Sequence, residues 1–207
     1  RSTLFPYTTL FRSKPNYVVM ICGVSDRQNI REKDLAKEND DKAAKNPANE
    51  GQPKKEGESD APQAIIAPEP QPAKKSNGII EFRSDQWEKV YSRRIDETVA
   101  ALKSKGVPVF WVGLPSIRGT RSTADAVYLN DLYRARAEKA GAVYVDVWDG
   151  FVDEAGKFTS YGPDYEGQMR RLRAGDGVYF TKYGSRRLAR YVDREIGRYM
   201  NNRGPIA

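Results

Sequence analysis

The chain has 207 residues, of which 39% are hydrophobic and 11% aromatic, and its formal net charge is +7. These values fit one domain of ordinary size with a core of its own. No run of about 18 apolar residues occurs, so the sequence predicts no membrane span. Cys22 is the only cysteine, which excludes an internal disulfide.

The first thirteen residues differ in kind from the rest. Leu4 to Ser13 reads LFPYTTLFRS, which looks like the in-frame translation of a common sequencing-adapter oligonucleotide. We therefore treat residues 1–13 as an adapter-like artefact and leave them out of the fold prediction. Native-looking sequence begins at Lys14, directly before an apolar run, so we expect upstream sequence with any signal peptide to have been lost.

The next segments predict a strand and then an insertion. Tyr17 to Cys22 (YVVMIC) is a continuous apolar run, which predicts a strand buried on both faces. Residues 31–78 contain no aromatic residue and are rich in Lys, Glu and Pro. Such a segment cannot bury enough apolar surface to offset the entropy of ordering it, so we interpret it as a disordered insertion. The predicted domain joins residues 14–30 to residues 79–200, and residues 201–207 form a tail.

The elements after the insertion alternate between helix and strand. Asp85, with Glu88 three residues later, predicts the capped start of a helix that ends at Gly106. Its apolar positions recur at helical spacing: Trp87, Tyr91, Ile95, Thr98 and Leu102. The following elements are a strand over Val107–Val112, a helix over Ala124–Ala140, a strand over Ala142–Val147 and a helix over Lys182–Met200.

This alternation predicts an α/β fold with a parallel sheet, because parallel neighbours need a helical crossover. In such sheets ligands gather at the carboxyl ends of the strands. The loops expected at that rim are Gly23–Gln28, Gly113–Arg118 and the segment from Trp148. The connection Gly150–Gly175 then leads to Asp176 at the start of the last helix, so chain order brings these segments to one rim.

Two short motifs at this rim carry a family resemblance. Gly23-Val24-Ser25-Asp26 is similar to the Gly-x-Asn-Asp block of the SGNH (GDSL-type) hydrolase superfamily. Asp176-Gly177-Val178-Tyr179-Phe180-Thr181 resembles its Asp-x-x-His block, with tyrosine in the place of histidine. The surrounding sequence is similar to a poorly characterised bacterial branch of that superfamily, and this similarity covers most of residues 15–200 apart from the insertion. The resemblance implies a three-layer α/β/α sandwich, SGNH/flavodoxin-like, whose first strands are missing from this chain.

The same resemblance implies a chemistry and a site. Family members hydrolyse or transfer acyl groups at ester bonds by a Ser-His-Asp mechanism, without cofactor or metal. It assigns Asp176 to the catalytic set and places Gly23, Ser25 and Asp26 at the oxyanion rim. The serine nucleophile and an oxyanion glycine have no counterpart here, since both belong before Lys14. It also implies an exported, periplasmic bacterial protein.

Two positions depart from the family pattern. Tyr179 stands in the histidine position, and the chain contains no histidine. A phenol with a pKa of roughly 10 is a poor proton shuttle near neutral pH. Ser25 replaces the oxyanion asparagine, and loss of one such donor costs on the order of 10²-fold in rate. We therefore expect a pseudoenzyme, in which Asp26 either keeps its family role or braces the loop.

Three other candidate nucleophiles or bases are weaker. Lys182, three residues after Tyr179, acts as a base only if it is desolvated. Cys22 ends a strand and has no histidine to activate it. Ser116 lies outside any Gly-x-Ser-x-Gly context. We interpret them as a solvated lysine, a small core residue and a loop hydroxyl.

The alternative function is a non-catalytic carbohydrate- or anion-binding module. Three arginines precede Asp176: Arg170, Arg171 and Arg173. They fit either of two roles, binding such a ligand or forming a polar surface loop over the site. A small-molecule or carbohydrate ester is the expected partner of the rim.

The last helix carries a separate basic pattern. Arg190, Arg194 and Arg198 recur every four residues, and Asp193 and Glu195 interrupt them. No nucleic-acid motif accompanies the pattern, so we favour a solvated basic face over a phosphate or nucleic-acid site.

Overall fold

The computed structural model describes residues 15–35, 78–104 and 106–202. The adapter-like segment, most of the predicted insertion and the tail beyond residue 202 lie outside these ranges. The described strands are β1 (Val18–Ile21), β2 (Ile30–Arg31), β3 (Ile79–Ile80), β4 (Val109–Val112), β5 (Val143–Val145), β6 (Tyr161–Pro163) and β7 (Met169–Arg171). The long helices are α1 (Asp85–Lys103), α2 (Thr120–Lys139) and α3 (Lys182–Asn202), and a short 3₁₀ turn spans Trp148–Gly150.

The central feature is a parallel three-stranded sheet in the order β1-β4-β5. Val18 pairs with Val109, and Phe110 pairs with Val143. The prediction of a parallel sheet in a mixed α/β fold is confirmed. All four residues of β4 are buried, whereas Ile21 in β1 is 57% exposed. The prediction that β1 is buried on both faces is therefore wrong, because β4 is the only described strand that pairs with it.

Helix α1 begins where the sequence predicts, but its cap is a different residue. The Ser84 hydroxyl accepts a hydrogen bond from the Trp87 amide at 3.2 Å, so Ser84 is the capping residue. One predicted apolar position is also shifted. The Thr98 hydroxyl donates to the Arg94 carbonyl at 2.7 Å, and the neighbouring Val99 is fully buried instead.

The described residues divide into two compact units, residues 15–27 with 89–202 and residues 28–35 with 78–88. In the smaller unit β2 and β3 pair in antiparallel fashion, with Ile30 opposite Ile80. The Glu32 amide extends this pairing by donating to the Gly78 carbonyl at 2.9 Å. The chain segments on the two sides of the predicted insertion are thus hydrogen-bonded to each other at its base.

The connection between β5 and α3, predicted as a long loop, contains an antiparallel hairpin of β6 and β7. Asp164 fixes its turn, since Oδ1 accepts hydrogen bonds from the Glu166 and Gln168 amides at 2.9 and 3.0 Å. Gly167 completes the turn with φ of +81°, a conformation that favours glycine. The Asp-Tyr-Glu-Gly sequence is a turn signal that sequence reasoning missed.

The core of the larger unit joins the sheet to α3. Its fully buried members include Phe110, Val112, Val145, Phe151 and Leu172, and side chains of α3 pack against them. None of the described helices combines the length and apolar character that a membrane crossing needs.

Candidate functional site

A cavity of about 290 Å³ opens at the carboxyl ends of β1 and β4. It lies in the larger unit and has the size of a site for a small ligand. Four parts of the chain line it: the end of β1 with the loop after it, the loop after β4, the segment that leads into α3, and α3 itself. The lining residues are Ile21, Cys22, Gly23, Val24, Ser25, Gly113, Leu114, Pro115, Ile117, Arg173, Val178, Phe180 and Leu188.

Gly23 sits where no other residue fits easily. Its φ is +112°, and a Cβ built on it would lie 2.1 Å from the Tyr133 hydroxyl oxygen. Backbone conformation and close packing therefore both require glycine at this point of the cavity rim. The family-like Gly23 position has a structural reason of its own.

Asp26 anchors the same loop through two phenols. The Tyr91 hydroxyl donates to Asp26 Oδ2 at 2.6 Å and lies 2.7 Å from the Tyr133 hydroxyl. Because the single proton of Tyr91 goes to Asp26, Tyr133 must be the donor in the second bond. Burial raises the pKa of both tyrosines, so both remain protonated. Asp26 thus braces the loop, and sequence reasoning missed both tyrosines as its partners.

The loop after β4 is held by side chains from elsewhere in the fold. The Asn130 carboxamide accepts from the Leu114 amide at 2.7 Å and donates to the Leu114 carbonyl at 2.8 Å. The Ser116 hydroxyl is buried and donates to the Phe151 carbonyl at 2.6 Å. Ser116 therefore has a structural partner, and Asn130 is a supporting residue that no sequence motif indicates.

Arg173 ties the cavity segments together from inside. It is only 1% exposed, and its guanidinium donates to the Val178 carbonyl at 2.7 Å and to the Ser116 carbonyl. It also lies 4.2 Å from the Phe180 ring centroid. Burial lowers the pKa of Arg173 to about 10, so it stays protonated at neutral pH. Its Nε is buried without a partner among the described residues.

The Asp176 loop has the geometry of an Asx turn. Asp176 Oδ1 accepts hydrogen bonds from the Val178 and Tyr179 amides at 2.8 and 3.1 Å. These amides hold the pKa of the carboxyl below its usual value. Tyr179 itself is 72% exposed and does not line the cavity, although both its neighbours do. The residue in the family histidine position is therefore not part of the cavity wall.

Arg118 supports this loop from the other side. Its Nη1 donates to the Gly175 carbonyl at 2.7 Å. A Cβ built on Gly177, whose φ is +72°, would lie 2.5 Å from Arg118 Cβ. The sequence gives no signal for this contact.

The other predicted site residues lie around the cavity in different ways. Ser25 is exposed and lines it. Arg170 and Arg171 do not line it: Arg170 contacts Asp164 at 3.4 Å, and Arg171 Nε donates to the Arg173 carbonyl at 3.0 Å.

The two remaining reactive groups show no activation. Burial, together with the Asp26 carboxylate, raises the pKa of the Cys22 thiol to about 12. Lys182 is exposed and lies 5.0 Å from the Tyr183 ring, so it lacks the desolvation that a lysine base needs. In the part of the chain that the structure describes, no three His, Cys, Asp or Glu side chains form a metal-binding group.

The model of a family described as a protein of unknown function (DUF459) matches residues 57–195. The match covers more than half of the chain. The chain belongs to the DUF459 family. No curated protein matches it. The DUF459 match includes the β4 loop, Arg173 and the Asp176 loop, and it leaves out the Gly23–Asp26 loop.

Proposed function

We propose that this DUF459 chain is an SGNH/GDSL-type hydrolase-like domain, with the three-layer α/β/α arrangement of that superfamily, that binds a small ester without cleaving it. The observation that carries the proposal is the absence of histidine from the chain, together with the exposure of Tyr179 outside the cavity. Family-like loops surround a cavity, while the proton shuttle of the family chemistry is missing.

The composition of the cavity supports ester binding. Its walls are mainly apolar, from Ile21, Leu114, Ile117 and Phe180, and this suits an acyl chain. Ser25 adds an exposed hydroxyl at the rim, where a carbonyl oxygen would find a donor.

The reactive groups around the cavity support the absence of turnover. A thiol with a pKa of about 12, as in Cys22, is almost entirely protonated at neutral pH. Ser25 has no imidazole to take its proton, and loss of that base costs about 10⁴-fold or more in turnover. The exposed Tyr179 phenol does not reach into the cavity to replace it.

The first test is reactivity toward a fluorophosphonate probe and turnover of p-nitrophenyl acetate. We expect both signals to equal those of the heat-denatured protein. Labelling of one serine well above that control would identify a nucleophile and overturn the proposal.

The second test measures the binding of phenyl acetate by saturation-transfer NMR. Ser25→Trp, which places a large ring at the rim, should abolish the signal. Ser185→Trp is the matched control, because Ser185 is exposed on α3 and does not line the cavity. Equal signals from the two variants would show that the ester binds elsewhere.

The alternative is a non-catalytic carbohydrate- or anion-binding module on the same fold. Of the arginines expected to serve it, Arg173 is buried and donates to protein carbonyls, and Arg170 contacts Asp164. The exposed arginines that favour such a role lie on α3 instead.

A further inference from the structure

A second concave site lies between α3 and the hairpin turn and shares no residue with the cavity. This arginine groove has a volume of about 290 Å³. Arg186, Arg190 and Arg194 of α3 line it together with Tyr165 of the hairpin turn, and the Arg186 guanidinium lies over the Tyr165 ring, 5.9 Å from its centroid. These arginines follow each other every four residues, so their backbone positions are spaced by about 6 Å along the helix.

The accessible charge in the groove is positive. Arg186 and Arg190 are exposed, and among the described residues neither forms a salt bridge with an acidic side chain. Arg194 is also exposed and lies 3.5 Å from Glu195. The one acidic residue that lines the groove is Asp164, whose side chain is only 3% exposed and is bound by Arg170.

The groove is held in shape by contacts beneath it. Arg187 Nε donates to the Gly150 carbonyl at 2.7 Å, and its Nη1 donates to the Pro163 carbonyl. The Tyr191 ring packs so closely on Gly150 that a Cβ there would lie 2.8 Å from it. The helix that carries the arginine row is therefore held against the backbone of Gly150 and Pro163 by contacts that need no ligand.

We propose that the arginine groove binds an oligosaccharide that carries carboxylate groups on successive units. Each planar guanidinium can bind one carboxylate through two hydrogen bonds. Three arginines spaced by about 6 Å along the helix can therefore bind three carboxylates of one ligand, which a single small anion cannot provide. The Tyr165 ring is 59% exposed, and the Arg186 guanidinium lies over it, 5.9 Å from the ring centroid. An aromatic ring and a guanidinium thus lie together where a ligand with both a sugar ring and a carboxylate would need them.

The same observations argue against a single-stranded nucleic acid. Proteins that bind such strands stack successive bases on several exposed aromatic rings. Here Tyr165 is the exposed ring of the groove, whereas Tyr191 is half-buried, packed on Gly150 and covered by Arg194 at 4.9 Å. The groove thus supplies charge along its length and one stacking face.

Calorimetric titration of the full chain with a galacturonic acid trimer tests the proposal. We expect binding at low salt that weakens as NaCl rises from about 50 to about 500 mM. Arg190→Gln should weaken it about fivefold, the effect of losing one exposed charge pair. Arg198→Gln is the matched control: it removes the same charge about two turns farther along α3 than Arg190. Arg198 contacts Glu195 at 2.7 Å and does not line the groove.

Circular dichroism first establishes that both variants fold, so that a change in affinity reports on binding. Binding of the trimer that Arg190→Gln weakens and Arg198→Gln leaves within about twofold supports the groove. Equal losses of affinity in the two variants would show that binding depends on net charge alone, and would overturn the proposal. Equal binding of maltotriose, tighter binding of a thymidine hexanucleotide, or no trimer binding at about 1 mM would each overturn the proposal.

Discussion

We expect glycine-to-alanine substitution to have opposite effects on stability at two positions of α3, Gly184 and Gly197. A Cβ built on Gly184 would lie 2.0 Å from the backbone oxygen of Leu172 and 2.9 Å from its carbonyl carbon. Ordinary contacts begin near 3.4 Å, so helix and strand segment would have to separate by about 1.4 Å. A Cβ on Gly197 meets nothing within 4 Å.

The magnitudes follow from these distances. Overpacking of this kind costs about 1–3 kcal/mol, and the shift also weakens the hydrogen bond from the Thr181 amide to the Leu172 oxygen, now 3.0 Å long. The higher helix propensity of alanine offsets up to about 1 kcal/mol of this loss in the free energy of unfolding. We expect Gly184→Ala to lower the free energy of unfolding by about 1–3 kcal/mol. Gly197→Ala should raise it by about 0.5–1 kcal/mol, because only the propensity term remains.

Urea denaturation followed by tryptophan fluorescence measures both changes. The slope of free energy against urea should stay the same in both variants, so that the midpoints report stability. If Gly184→Ala is as stable as Gly197→Ala, the close approach of α3 to the Leu172 backbone does not exist in solution.

Two further predictions use the titrating groups of the site. The raised pKa of Cys22, about 12, leaves a thiolate fraction at pH 8 on the order of 10⁻⁴, so iodoacetamide should alkylate the native protein roughly 10³-fold more slowly than the urea-unfolded chain. Similar rates would show that the folded protein does not raise the pKa of the Cys22 thiol. The depressed pKa of Asp176 stabilises the fold at pH values above its usual 3.8, and this contribution disappears as pH falls through the lower folded-state value. Asp176→Asn should therefore lose less stability than the parent chain on acidification below pH 3.8, and parallel acid profiles would contradict the Asx-turn assignment.

The elements of the larger unit were predictable because their signals are local. Apolar runs and helical spacing identified β4, α2 and α3 to within a few residues, and the alternation of strand and helix predicted the parallel sheet. The cap at Ser84 and the hairpin turn at Asp164 also have local signals, in a hydroxyl before an acidic turn and in an Asp-x-x-Gly sequence. Both were open to sequence reasoning and were missed.

The supports of the candidate site were not predictable in this way. Asp26 meets Tyr91 across 65 positions of the chain, and Arg173 reaches Ser116 across 57. Neither partner belongs to a motif, and only packing brings them together. The basic spacing on α3 was visible in the sequence, but the groove exists because the hairpin turn brings Tyr165 next to Arg186.

What the sequence determined by itself is chemistry: with no histidine, no arrangement of this chain supplies an imidazole base. It also determined where apolar runs and helices occur. Burial and exposure were decided by tertiary structure. The runs of β1 and β4 are equally apolar, yet β4 has a described strand on each side and is fully buried, while β1 has one and leaves Ile21 exposed. Tyr179 and Phe180 are neighbouring aromatic residues, but only Phe180 faces the cavity, because side-chain direction depends on how the Asp176 turn packs against the fold.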